Sequence, residues 1–346
     1  MSGKKRIAIL TGGGDCPGLN AVIRAVARKS FTYGYEVIGI KDGWKGLVEN
    51  DPAVLDDYAI SGILPKGGTI LGTSRFNPYK EKQNVAKLKS NFKKLNLFAL
   101  IAVGGDDTLG VANKLYLQEH LPIVGVPKTI DNDLSATDFT FGFDTAINIA
   151  TECIDRLHTT AESHHRVIVV EIMGRHSGWL TAYAGIAGGA DVILIPEVAI
   201  DMKEVVKALK ARRKRGKPFS IVAVAEGAAF KKSKEILQEE KLDAFGNVRL
   251  GGIGQVLAEK IDRMTGFETR TVVLGHIQRG GTPTAMDRVL STRYGVKAAE
   301  LVHQRKFGYM VSLRGNEIRP VKLQEAVAKP KTVDKELYNV AKVFFG

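Results

Sequence analysis

The densest chemistry in the chain lies in Pro127-Lys128-Thr129-Ile130-Asp131-Asn132-Asp133. Two aspartates spaced i, i+2 behind a lysine and a threonine offer a base for a hydroxyl, a carboxylate for a metal and a cation for phosphate. Upstream, Gly104-Gly105-Asp106-Asp107-Thr108 puts two glycines before adjacent carboxylates. That run suits a place where phosphate oxygens meet Mg²⁺, which prefers one or two carboxylates plus substrate phosphates. The plain alternative is that Asp106 or Asp107 caps a helix. A third run, Thr11-Gly12-Gly13-Gly14-Asp15-Cys16-Pro17-Gly18-Leu19-Asn20, precedes a helical pattern. Its glycines let backbone N–H groups point at an anion near a helix N-terminus, but it reads equally as a tight turn. Neither G-x-G-x-x-G nor a Walker A lysine pattern is present, which argues against a dinucleotide enzyme and a P-loop kinase.

Three later segments add cations and polar groups: Met173-Gly174-Arg175-His176-Ser177-Gly178, Glu226-Gly227 and His276-Ile277-Gln278-Arg279-Gly280-Gly281. Such groups fit an anionic, hydroxylated substrate. Taken singly each has a bland reading, His276 as a satisfied structural histidine and Arg175 as a surface ion pair.

The elements that must hold these segments are legible from period and composition. Short β-branched runs at Arg6–Leu10, Glu36–Ile40, Ala99–Val103, Ile123–Val126, Val167–Ile172, Val192–Ile195, Ser220–Ala225 and Thr271–Leu274 predict buried parallel strands. Helical spacing predicts helices over Asn84–Leu95, Thr108–Gln118, Thr145–Ala161, Met202–Lys214, Ile253–Met264 and Ala285–His303. The alternation predicts an α/β protein of two doubly wound, mainly parallel-sheet domains, in which ligands sit at the carboxyl ends of strands. A change of texture near Phe141–Asp144 marks a boundary between them.

At 346 residues, 44% hydrophobic and 25% charged, the chain is long enough for two such domains and has no low-complexity tract. Its two cysteines, Cys16 and Cys153, follow no metal-ligand or C-x-x-C spacing, and a reducing cytoplasm is expected. The N-terminal apolar run is too short for a signal or membrane segment, so neither export nor a membrane partner is expected. A net charge of +13 leaves nucleic acid, anionic membrane or phosphorylated ligands open. The dense basic run Lys207–Lys217 lacks interleaved aromatics, so it is expected to be a solvated face rather than a nucleic-acid platform.

Together TGGGDCPGLN, LGTSR, GGDDT, PKTIDND, MGRHSGW, AEG and ETRTVVLGHIQRGG occur in the order and rough spacing of the phosphofructokinase family, which the chain resembles over nearly its whole length. The resemblance implies that Asp131 takes the proton from the 1-hydroxyl of fructose 6-phosphate, with Thr129 and Asp133 orienting the transferring group and its metal. Asp106 and Asp133 would hold Mg²⁺, and Gly13, Gly14 and Arg75 would stabilise the phosphoryl group. Thr108 would join them in binding the donor. Arg166, Arg270, His276 and Arg279 would surround the 6-phosphate, and Met173, Gly174, Arg175 and Glu226 the sugar. It further implies residues 1–142 with about 279–328 as the donor domain, and about 143–278 with 329–346 as the fructose 6-phosphate domain. Because Arg166 and Arg270 come from a neighbouring subunit in bacterial relatives, a homodimer or homotetramer with shared active sites is implied.

The sequence departs from the family's usual GGDG and PGTIDND at Asp107 and Lys128. Asp107 sets a carboxylate where a nucleotide α-phosphate would pass; like charges about 4 Å apart repel by about 1 kcal/mol in water and more at a desolvated site. Lys128 offers a compact cation to pyrophosphate. The pair resembles the pyrophosphate-dependent branch, implying reversible transfer from pyrophosphate to fructose 6-phosphate, serving glycolysis and gluconeogenesis. An ATP-dependent phosphofructokinase is the alternative, and a basic nucleic-acid-binding or regulatory protein on a kinase-like scaffold a remote one. Arg24, Arg28, Arg215 and Lys217 fit the family's basic effector cluster, whereas Asp57 and His158 stand where arginines are expected, so weak or absent allosteric control is expected.

Overall fold

The computed structural model describes residues 4–231, 237–239 and 249–345. In chain order the strands are Arg6–Thr11 (β1), Glu36–Ile40 (β2), Pro52–Val54 (β3), Leu97–Gly104 (β4), Ile123–Pro127 (β5), Val167–Ile172 (β6), Val192–Leu194 (β7), Ser220–Ala225 (β8), Leu237–Glu239 (β9), Arg249–Leu250 (β10), Thr269–Val273 (β11), Tyr309–Arg314 (β12) and Glu317–Lys322 (β13). The helices are Leu19–Thr32 (α1), Trp44–Glu49 (α2), Lys82–Lys94 (α3), Asp106–Glu119 (α4), Phe143–His164 (α5), Trp179–Ala187 (α6), Met202–Lys214 (α7), Ile253–Thr265 (α8), Ala285–His303 (α9), Leu323–Ala326 (α10) and Lys335–Lys342 (α11).

A seven-stranded sheet runs β13-β12-β5-β4-β1-β2-β3, parallel except for the two edges β13 and β3. A four-stranded, wholly parallel sheet runs β11-β6-β8-β7. A parallel sheet needs cover on both faces, and the period-2 alternation of each strand supplies it. Along β1, Ile7 and Ile9 join one core with Val22 and Val26 of α1 and Tyr294 of α9, while Ala8 and Leu10 join another with Trp44, Leu88 and Leu115. In the second sheet Val167 and Val169 face Leu257 and Ile261 of α8, while Ile168 and Val170 share the first core with Ala150 and Ile154 of α5. One apolar core therefore runs from the first sheet through α5 into the second. The loops at the carboxyl ends of β1, β4, β5, β6 and β8 are brought towards a common cleft by that continuity.

Every predicted strand and helix has a counterpart, with shifts of a few residues: β11 starts at Thr269, and Leu274 already leads into a 3₁₀ turn at Gly275–Arg279. Within the basic run, Arg212 turns inward to pair with buried Asp191 at 2.8 Å and to donate to the Phe219 carbonyl, while Lys207, Lys210 and Lys214 are exposed. Cys16 and Cys153 are free thiols. No helix of the described residues is long and apolar enough to cross a membrane.

Candidate active site

The three anion-handling loops meet in one cleft. Its walls include Gly13, Gly14, Arg75, Asp106, Asp107, Thr108, Lys128, Thr129, Asp131, Asp133, Arg175 and Arg279. Gly14 makes room for an arginine: a Cβ there would sit 2.5 Å from Nη1 of Arg279. Gly12 and Gly104 likewise make room for the buried Thr108 side chain, with which an added Cβ at either position would collide.

Helix α1 opens at Leu19 behind Gly18, so Gly12–Gly14 form a loop ahead of the helix, as the sequence pattern predicts. Within that loop the Gly12 amide donates to the Val103 carbonyl at 2.9 Å and the Gly13 amide to the Ser74 carbonyl at 3.1 Å. The backbone cradle expected of the glycine run is therefore narrower than three free amides. In return, Thr73 donates to the Gly13 carbonyl at 2.7 Å, which moors the segment carrying Arg75 to the glycine loop. The alternative reading of Asp106 and Asp107 is set aside, since neither caps α4. Gly105 holds the cap position, and both carboxylates lie in the first turn, where the helix dipole favours them.

Lys128 is 3% exposed, and its Nζ donates to the Gly14 carbonyl. Burial pulls its pKa below the ordinary lysine value; the Cys16 behind it opposes that pull, and Arg279 adds to it. Asp131 is 6% exposed and its Oδ1 is buried without a hydrogen-bond partner. Burial lifts its carboxyl above the usual carboxylate range, Arg279 and Arg175 counter the lift, and Asp106 adds to it. Asp133 is pushed up to about 8 by burial together with the charges of Asp131 and Asp106. Thr129 stands between these groups: its Oγ1 accepts from the Asp131 amide at 3.0 Å, and its carbonyl accepts from Thr140 at 2.7 Å.

From the second sheet, Arg175 reaches to 3.9 Å from Asp107. Burial works against its charge, but Asp131, Asp106, Asp107 and Asp133 together raise its pKa. The loop bearing it is bent at Gly174 (φ 146°) and Arg175 (φ 50°), and Glu226 pins it by accepting from both amides, at 3.3 and 3.0 Å. Glu226 itself is pushed up to about 7 by burial, the two amides opposing and Asp131 adding. Met173 is buried beside this loop, and His276 is exposed on the 3₁₀ turn that also carries Arg279.

Arg166 and Arg270 are not in the cleft. They sit at the amino ends of β6 and β11, the far end of the sheet, where both pair with Glu268 at 2.8 and 2.6 Å. Strand β11 is the edge of its sheet, and Val273 and Ile277 beyond it are exposed. Asp15, Gly105 and Ile130 also line the cleft and were not singled out from sequence; each directly adjoins a residue that was. Of the effector-cluster positions, Arg28 and Asp57 form a salt bridge at 2.6 Å, and His158 Nε2 lies 2.7 Å from the Gly188 carbonyl.

Among the described residues no three His, Cys, Asp or Glu side chains converge as a metal cage. Mg²⁺ does not require one, since substrate phosphates and water complete its shell. The unpartnered Asp131 Oδ1, the lifting of Asp131 by the charge of Asp106 and that of Asp133 by both fit a site where a cation would neutralise crowded carboxylates.

Comparison with known proteins gives the context of this geometry. The phosphofructokinase family model matches residues 6–302. The chain is 56% identical over 342 residues to a pyrophosphate–fructose 6-phosphate 1-phosphotransferase of Streptomyces coelicolor, covering 99% of this chain and 100% of that one. It is 50% identical over 346 residues to an ATP-dependent 6-phosphofructokinase of Corynebacterium efficiens, with 99% and 100% covered. The solved phosphofructokinase of Saccharomyces cerevisiae superposes with a TM-score of 0.82 at 31% identity, over 99% of this chain and 47% of that one. With a continuous family match and a cleft built from the family's ordered segments, the chain belongs to the phosphofructokinase family.

Proposed function

We propose that the protein transfers a phosphoryl group reversibly from pyrophosphate to the 1-hydroxyl of fructose 6-phosphate, giving fructose 1,6-bisphosphate and phosphate. The observation that carries the donor assignment is the pair Asp107 and Lys128 within one cleft, a carboxylate on the first turn of α4 and a buried amine against the glycine loop. The relatives named for pyrophosphate, at 52–56% identity against 49–50% for those named for ATP, support the same donor.

In the transfer, the bond from the bridging oxygen of pyrophosphate to phosphorus breaks as the sugar O1 bonds to that phosphorus. The hydroxyl proton would pass to Asp131, a role that its unpartnered Oδ1 supports. Arg75 and Lys128, with the Gly14 backbone, would offset charge on the phosphoryl oxygens, as would Arg279, which stands against Gly14 in the donor part of the cleft rather than with the 6-phosphate residues that the sequence groups it with; Gly13, its amide held by Ser74, would only shape the loop, and Thr108 and Thr129 would fix donor and acceptor. Asp106 and Asp133 would hold Mg²⁺, which when bound supplies positive charge to the phosphates. Gly174, Arg175, Met173 and Glu226 would form the sugar side, with His276 near its phosphate. Arg166 and Arg270, remote from their own cleft, would complete a second copy's 6-phosphate site across the exposed β11 edge, which makes the working unit at least a homodimer.

Steady-state assays of the purified protein with pyrophosphate and with ATP test this reading. Pyrophosphate is expected to give the higher kcat/KM; the reverse order would overturn the donor assignment.

A further inference from the structure

The chain beyond β13 turns back into the active-site region. Pro330 bridges to Leu134, and the Ser135 hydroxyl donates to the Lys329 carbonyl at 2.6 Å. The Lys331 amide donates to the Asp133 carbonyl at 2.7 Å. Its own carbonyl accepts from Trp179 Nε1 at 3.1 Å and from the Ser177 hydroxyl at 3.4 Å. Two residues on, the Val333 amide donates at 2.9 Å to Glu197 Oε1, which also accepts from Gly178 at 3.0 Å. Five residues of tail thus join the loop holding Asp131 and Asp133 to the segment that follows Arg175.

The Lys331 side chain does the more specific part. Nζ donates to Asn132 Oδ1 at 3.0 Å, to the Thr137 carbonyl at 3.0 Å and to the Asp138 carbonyl at 2.8 Å, and it lies 5.3 Å from the centre of the Trp179 ring. An ammonium has three protons, and three acceptors surround this one, so none is left for a substrate oxygen. What Lys331 holds is Asn132, the residue between the two aspartates, whose backbone is left-handed (φ 51°) and whose Oδ1 also accepts from the Thr140 amide at 3.1 Å. A non-glycine residue keeps that conformation only where its surroundings determine it.

We infer that Lys331 is a positioning residue for phosphoryl transfer, fixing Asn132 so that Asp131 and Asp133 face the cleft and coupling them to the Ser177–Trp179 segment. The inference rests on the transfer reading above. It does not make Lys331 a ligand of either substrate.

The chain has two tryptophans, so a Trp44→Phe background leaves Trp179 as a reporter on the contact. In that background Lys331→Met, which keeps the apolar stem and every backbone bond of the tail, is expected to lower kcat about 10- to 100-fold while KM for pyrophosphate and fructose 6-phosphate stays within about threefold. Trp179 emission should change as the ammonium leaves its ring. Lys331→Arg, retaining charge and donors, should recover part of the loss. Asn132→Gly removes the acceptor yet tolerates the left-handed backbone, and the two changes together should cost much less than the product of their separate factors. Wild-type kcat in Lys331→Met, unaltered Trp179 emission, or losses that simply multiply in the double variant would each overturn the inference. If Lys331→Met does not fold, Asn132→Gly with wild-type kcat overturns it equally. Absence of turnover in the unmodified enzyme with either donor would instead overturn the transfer reading.

Discussion

Asp107 serves two neighbours at once. Its carboxylate lies 3.9 Å from Arg175 and lines the cleft, and on the proposed reading a donor longer than pyrophosphate would have to pass it. Asp107→Gly should therefore raise kcat/KM for ATP on the order of tenfold, the effect of removing roughly 1.4 kcal/mol of repulsion, with less than about a threefold change in KM for fructose 6-phosphate as Arg175 loses one of four carboxylate neighbours. Rates with both donors measure this, and no gain with ATP would refute the charge argument. Glu226 gives a second expectation at this scale. Its carboxyl, pushed up to about 7, has to be charged to hold the amides of Gly174 and Arg175 firmly. A raised acid pKa means the charged form is lost as pH falls through that value, so kcat/KM for fructose 6-phosphate should decline below about pH 7. In Glu226→Gln, which keeps a carbonyl acceptor but cannot titrate, the acid limb should become shallower, keeping only what Asp131 and Asp133 contribute, and the plateau should lie lower.

Among the elements, α5 and α9 are joined by one buried carboxylate. Asp287 accepts from the amides of Gly142 and Thr145 and from the Thr145 hydroxyl, at 2.9, 2.8 and 2.5 Å, while Thr284 donates to Asp144 at 2.6 Å. The start of the helix that spans the two sheets is thereby capped by the helix following the Arg279 turn, rather than by its own residues. Asp287→Ala would leave buried donors unpaired and should cost about 3 kcal/mol, roughly 1 kcal/mol per lost bond, read as a lowered urea midpoint. Such a cap is hard to read in sequence, because its partners are 142 and 145 residues apart. Strands β3, only three residues long, and β12 drew no prediction, whereas eight strands of the two sheets were legible since their apolar runs are dense and β-branched. Strand β13 was not, being an exposed edge with Pro320 in it, nor was α6, whose WLTAYAGIA is apolar on every side and shows no helical period. The site followed the same logic. Residues in glycine-rich runs at strand ends announced themselves, whereas Lys331 sits in a tail with no motif and acts only through what it touches. The free amides expected of Gly12 and Gly13 failed for a similar reason, since Val103 and Ser74 claim them through contacts far away in sequence.

For the whole molecule, the position of Arg166 and Arg270 has a consequence that a single protomer cannot express. Both stand at the amino ends of their strands, paired with Glu268, while the cleft lies at the carboxyl ends. If they serve another copy's cleft, each working site draws Asp131 from one protomer and Arg270 from its partner. Asp131→Asn and Arg270→Ala protomers, each nearly inactive alone, then combine into a hybrid dimer in which one site carries both defects and the other carries none. Random pairing of equal amounts makes half the dimers hybrid, so co-folded mixtures should recover about a quarter of the wild-type rate under a two-fold arrangement. Sites built within one protomer would recover nothing, because every cleft would keep its own defect. Mixing after folding provides the control, since activity should then appear only as fast as subunits exchange. Measured with pyrophosphate at saturating fructose 6-phosphate, the recovered fraction reports directly on whether the two arginines act in their own cleft or in a neighbour's.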